Sequence, residues 1–162
     1  MKRASRLMIA VAAVIGLAVA SVAEAQPPVR FDGGIGVIPT GSGNTAVRGV
    51  PAAGQIWVIR ELRADVHPDG RIRVDGRGLL LGAGNNFGRN GNASVFATLI
   101  CETAAPFVER NTDLNGVPLD ADGNFRIDDV LVPAPTGECA SPALLIRNAG
   151  NGGWFAGGIP RH

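Results

Sequence analysis

The chain of 162 residues predicts an all-β fold, an antiparallel β-sandwich of about seven to eight strands, and three observations carry that expectation. Gly, Asn and Pro punctuate it at short intervals, and beyond residue 25 no long stretch shows a helical period. A run from Ala64 to Asp75 alternates charged and apolar residues on both sides of Pro68-Asp69-Gly70. Cys101 and Cys139 are the only cysteines, without a CxxC spacing or a nearby histidine, and so predict a disulfide rather than a metal or redox site.

The first 25 residues read as a signal peptide. Lys2, Arg3 and Arg6 give a positive start, Leu7 to Ala20 is apolar, and Ala23-Glu24-Ala25 is a small-x-small cleavage site. The mature chain is then expected to begin at Gln26 and to be secreted or periplasmic, with no stable membrane insertion; an uncleaved anchor is the competing reading. Without Lys2, Arg3, Arg6 and Glu24 there remain 12 Arg, no Lys, no Tyr and 13 acidic residues, so the whole-chain charge of +1 becomes about −1. That balance excludes the basic stripe that nucleic-acid binding needs.

Residues 26–54 form a Gly/Pro-rich N-terminal segment with a short edge strand expected at Ile35 to Ile38, followed by a loose run from Pro39 to Asn44. Residues 55–162 are the sandwich proper, and 26–162 are expected to fold as one unit. Gly34-x-Gly36 is not a dinucleotide fingerprint, because Pro39 and the lack of a following helix contradict the strand–turn–helix setting.

Gln55 to His67 predicts a strand. Ile56 to Ile59 are apolar on both faces and clean alternation starts at Glu61, so a bulge is expected near Arg60. A short helix over Trp57 to Ala64 is the competing assignment, disfavoured by His67-Pro68 and by the charges beyond. If His67 and Arg71 close a three-residue loop, Asp65 faces Arg73, Arg63 faces Asp75 and Glu61 faces Arg77. Val66 then faces Ile72, Ala64 faces Val74 and Leu62 faces Gly76, so one register gives an apolar face and a charge ladder.

The return strand is carried to Leu81, and Gly82 to Ala93 follows as a long loop free of periodicity. Loops of that length are uncommon in compact domains and sometimes functional; a plain surface connection is the preferred reading, and Asn86, Phe87 and Arg89 are the candidate binding residues of the alternative. Ser94 to Glu102 predicts a buried central strand with Cys101 pointing inward, and Phe107 to Asn111 a short strand.

Val117 to Asp128 echoes the first hairpin: Asp69-Gly70 recurs as Asp122-Gly123 and Arg73-Val74-Asp75 as Arg126-Ile127-Asp128. An apolar strand follows each copy, at Val95 to Cys101 and at Ala143 to Ile146, so two similar halves are expected to face one another as the two sheets. Asp120, Asp122 and Asn124 place oxygens at alternate positions like the start of a calcium loop. The Gly at the sixth and Glu at the twelfth position of such loops are missing, and a plain turn is preferred. The pattern from Asp120 to Ile127 is similar to hairpins of transthyretin-like and carboxypeptidase-regulatory-like β-sandwich modules, which implies a sandwich and no site. The chain as a whole resembles small exported bacterial proteins.

Asp128-Asp129 is not a catalytic pair, since neighbours on a strand point to opposite faces. Ala143 to Arg147 is a further core strand. Trp154 to Pro160 matches Phe31 to Ile35 in composition, so the terminal segments are expected side by side. Histidine is scarce, with only His67 and His162, and no serine sits in a nucleophile elbow. The expected function is therefore a non-catalytic binding or structural module without a cofactor, its ligand a small molecule, glycan or protein. The alternatives are a small carboxylate-dependent hydrolase and a cell-envelope or fibre subunit.

Overall fold

The computed structural model describes residues 26–40 and 45–161; the expected signal peptide and residues 41–44 of the loose run lie outside the described residues. The described residues form β1 (Val29–Gly36), β2 (Trp57–Val58), β3 (Glu61–Val66), β4 (Arg71–Arg77), β5 (Leu80–Leu81), β6 (Ser94–Ile100), β7 (Arg110–Asn111), β8 (Val117–Pro118), β9 (Phe125–Val130), β10 (Ala143–Asn148) and β11 (Trp154–Pro160). The principal sheet runs β7-β6-β10-β11-β1-β3-β4-β9 with β8 also on β6, and β2 pairs with β5 apart from it. The far end of that order returns to its beginning, because Asn111 and Val132 exchange both backbone hydrogen bonds at 3.0 and 2.8 Å. The all-β antiparallel fold is thus one nearly closed, barrel-like sheet, and the two layers of a sandwich are its opposite walls. Leu62, Val74, Leu99 and Ile146 fill the space between the walls, each fully buried.

The first hairpin has the expected register at every position, from Glu61 opposite Arg77 to Val66 opposite Ile72. His67 donates to Arg71 O at 2.8 Å and Gly70 to His67 O at 2.9 Å, with Gly70 at φ 90°. The charge pattern also continues beyond the hairpin onto its flanking strands. Arg30, Asp65, Arg73 and Asp128 form one row across β1, β3, β4 and β9, and Asp32, Arg63, Asp75 and Arg126 form the next. Sign alternates in both directions. The closest contacts run to the outer strands: Arg30–Asp65 at 3.2 Å, Arg63–Asp32 at 3.6 Å, Arg73–Asp128 at 2.9 Å and Arg126–Asp75 at 3.8 Å. Arg73's hydrogen bond holds the Asp128 carboxyl below its ordinary value. Pairs this exposed select a register more than they stabilise it.

The second turn repeats the first. Asp120 donates to Asn124 O and Gly123 to Asp120 O, both at 3.0 Å, with Gly123 at φ 75°. Its arms differ, for β8 crosses to β6 while β9 stays on β4. The two copies therefore do not face one another across the core. They lie side by side in one wall, where the equivalent residues Val74 and Ile127 are direct partners, because the free edge of β4 takes β9 as its next strand.

Three further boundaries differ from expectation. The N-terminal strand is longer than Ile35–Ile38 and is not an edge, since β1 pairs with β11 on one side and β3 on the other. A bulge between Phe31 and Gly34, with Gly33 at φ 99°, lets it serve both neighbours, and the missing side chain of Gly36 admits the backbone of Trp57. Its pairing with β11 brings the terminal segments together as expected. The Gln55–His67 strand is interrupted at Ile59–Arg60, where Arg60 donates to Arg77 O at 3.0 Å. The return strand stops at Arg77 rather than Leu81: Gly78, at φ 66°, turns the chain so that Leu79 donates to Gly123 O and Leu80–Leu81 pair with β2.

Strand β6 is buried on both faces, as predicted. Its outer face is covered by residues 45–54 and 102–110, which pack Val50 and Phe107 over Ile100 and Leu145, with Arg48 from the cover and Arg147 from β10 as cations between them. Arg48 donates to Ile100 O and Ser141 O, and Arg147 pairs with Glu109, bonds Thr98 and Gly152 O and lies 5.2 Å from the Phe96 ring centre.

Candidate functional site

Strand polarity sorts the connections into two ends. At one end the Gly82–Ala93 loop is closed by its own backbone. Gly88 donates to Leu81 O at 2.8 Å, Leu81 to Arg89 O at 2.9 Å, and Phe87 and Arg89 to Gly84 O and Asn86 O at 3.1 Å. The absent side chain of Gly91 lets the loop rest on Trp57, whose ring stacks on Phe155 at 3.9 Å. Asn90 Nδ2 ties the loop to the second turn by donating to Leu119 O and Asp120 O at 3.2 and 2.8 Å. On this fastened loop Phe87 is 71% exposed, Asn86 is exposed, and Arg89 has no ion-pair partner among the described residues. An apolar ring, an amide and a guanidinium, all exposed, thus lie within four residues of one another on a loop closed by backbone hydrogen bonds.

Of the oxygens considered for calcium, those of Asp120 and Asn124 serve the neighbouring turn. Asp120 Oδ1 accepts from the backbone N–H groups of Asp122 and Asn124 at 2.9 and 2.8 Å, its Oδ2 from Asn124 Nδ2 at 3.0 Å, and Asn124 Oδ1 from Gly78 N at 3.2 Å. These bonds, with the Asn124 N–H leading, hold the Asp120 carboxyl below its ordinary value. The arrangement is an Asx-type turn that closes on itself.

The opposite end is built around the Cys101–Cys139 disulfide, which is formed. It ties the connection between β9 and β10 to the end of β6, where Ser141 also donates to Cys101 O at 3.1 Å. On one side of this connection lies a cleft of about 370 Å³ and on the other a shallower depression of about 450 Å³. Glu102 and Glu138 both line the depression. Glu102 is committed, however: Arg110 Nη2 donates to it at 2.8 Å and Val108 N at 3.1 Å.

No family model, curated protein or solved structure matches this chain. The chemistry of either end rests on its own residues.

The Arg110 hydrogen bond, and then that from Val108, holds the Glu102 carboxyl down to about 2 from an ordinary 4.5. A group so depressed is a poor proton donor, and a general acid would need the opposite shift. It also sets a pH dependence of stability. The contribution of Glu102 is fully present above about pH 4.5 and is lost as pH falls towards about 2. Urea midpoints between pH 2 and 7 are expected to fall along that limb, and Glu102→Gln to lower the pH 7 stability by about 2 kcal/mol while flattening the limb.

Asp128 and Asp129 go to different partners, Arg73 on the outer face and Asp113 N at 2.8 Å at the seam, as opposite-facing neighbours should. The cleft was not foreseen from sequence. The signal for it was the prolines, since Pro27 and Pro28 before β1, Pro68 in the first turn, Pro135 and Pro142 between β9 and β10, and Pro160 at the end of β11 all line it.

Proposed function

We propose that the protein is an exported, non-catalytic binding module that recognises its ligand through the Gly82–Ala93 loop, with Phe87 as anchor and Asn86 and Arg89 as polar contacts. The observation that carries this reading is Phe87: a large apolar side chain held 71% exposed on a loop closed by its own hydrogen bonds. Exposing such a ring gains nothing for folding, whereas a fixed aromatic anchor lowers the ordering cost of binding. The combination suits a glycan best, with the ring under the sugar face and the amide and guanidinium on its hydroxyls; a peptide or other small molecule would use the same groups. The disulfide supports export, because such bonds persist in oxidising compartments. A carboxylate-dependent hydrolase is disfavoured because Glu102 is engaged by Arg110 and Val108, bonds that also hold its pKa too low for a general acid.

A glycan and peptide array probed with the parent protein and with a Phe87→Ala/Arg89→Ala variant tests the reading. The variant is expected to keep its thermal midpoint and to lose about thirtyfold in affinity for whatever the parent binds. A ligand bound equally by both proteins would remove the loop from consideration.

A further inference from the structure

The cleft beside the disulfide has features of a second, independent site at the other end of the barrel. It reaches the core, since Val66 and Leu99, 2% and 0% exposed, are part of its lining together with Val29. Its charged lining is unbalanced: Arg30 and Arg161 stand against the single acid Glu138. Arg30 shares its charge with Asp65 at 3.2 Å, but Arg161 has no ion-pair partner among the described residues. The Arg161 backbone N donates to Arg30 O at 2.9 Å, which fixes the two arginines on neighbouring segments at the rim. The facing wall, Glu138 to Ala140, is held by the disulfide, so the opening is set before any ligand arrives.

We propose that this cleft binds a small organic monocarboxylate, with the acid group on Arg161 and Arg30 and the carbon chain on the apolar floor. Its volume of about 370 Å³ is in the range of small-molecule sites. An inorganic anion would leave the floor unused, and an uncharged chain would leave Arg161 without an acceptor. Glu138 opposes a second negative charge, which selects one carboxylate over two. A guanidinium–carboxylate contact beside apolar surface is stronger than the same contact in open solvent.

The probes are hexanoate, 1-hexanol and acetate, followed by ligand-observed NMR on the purified protein. Hexanoate is expected to saturate with a Kd on the order of 1 mM, given the affinity a ligand of its size reaches. Hexanol and acetate should each bind about tenfold more weakly or worse. Arg161→Gln, at an exposed position whose backbone bond is kept, is expected to weaken hexanoate about tenfold, and Ala140→Trp, which fills the cleft without altering its charge, to abolish binding. Phe87→Ala/Arg89→Ala should leave hexanoate binding unchanged, which separates this site from the loop. Failure of hexanoate to saturate by about 20 mM, equal binding of hexanol, or an Arg161→Gln variant with parental affinity would each overturn the proposal. Loss of binding in the Phe87→Ala/Arg89→Ala variant would overturn it as well.

Discussion

Replacing Cys101 and Cys139 by serine is expected to lower the thermal midpoint by about 10–15 °C. The bond closes a loop of 38 residues in sequence separation. Releasing it returns about 4 kcal/mol of chain entropy to the unfolded state. The local structure offers little to replace it. Between Leu131 and Ala143 the chain carries Pro133, Pro135 and Pro142, which donate no backbone hydrogen bonds, and its fastenings are few: Leu131 N to Gly70 O, Val132 with Asn111, Ser141 N to Cys101 O, and Arg48 to Ser141 O and Oγ. Intact mass should rise by two hydrogens on reduction. A midpoint shift of about 2 °C or less in the serine variant would show that side-chain packing alone holds this connection.

The two copies of the turn make the second large prediction, because they share a backbone but not an environment. Gly70 and Gly123 occupy the same position of the same three-residue loop, both at positive φ, where any other residue costs about 1–2 kcal/mol. A methyl group on Gly70 would meet Ala134 Cβ at 3.2 Å and Leu131 O at 3.3 Å, contacts a small shift relieves. On Gly123 it would overlap the peptide of Leu79, which is pinned in place by its own hydrogen bond to Gly123 O. No rotamer change can clear a backbone clash. Gly70→Ala is therefore expected to cost about 1–2 kcal/mol and Gly123→Ala about 4 kcal/mol or more, read as urea midpoints. Equal losses would mean that the φ of the turn is the whole effect.

The parts of this fold that were legible in the sequence are those where two physical constraints agree. The register of β3 on β4 was readable because a slip of one residue would bury charges and expose Val66, Ile72 and Val74 at once. The disulfide was readable because nothing else in the chain could use two isolated cysteines. The pairing of β1 with β11 followed from the similar composition of the two segments. What could not be read was pairing decided by geometry at a distance. Whether β1 lies inside the sheet depends on β11 returning more than a hundred residues later, and closure at Asn111 and Val132 leaves no local pattern. The cation network over β6 was hidden for the same reason, since Arg48, Arg110 and Arg147 read as surface residues until the segments that cover them are in place. Of the two ends, the loop with Phe87 stood out by its length, while the disulfide cleft exists only where several short segments meet.

The alternating face of β1, β3, β4 and β9 has one more consequence. Its eight charges cancel in pairs over distances shorter than the Debye length of about 8 Å at physiological salt, so their fields die away before reaching an approaching molecule. Such a wall is strongly hydrated yet electrically silent. Away from Arg30, which borders the cleft, it offers little net field to gather counterions or to steer an approaching molecule. A surface of that kind offers an approaching ion no preferred place along the flank of the barrel.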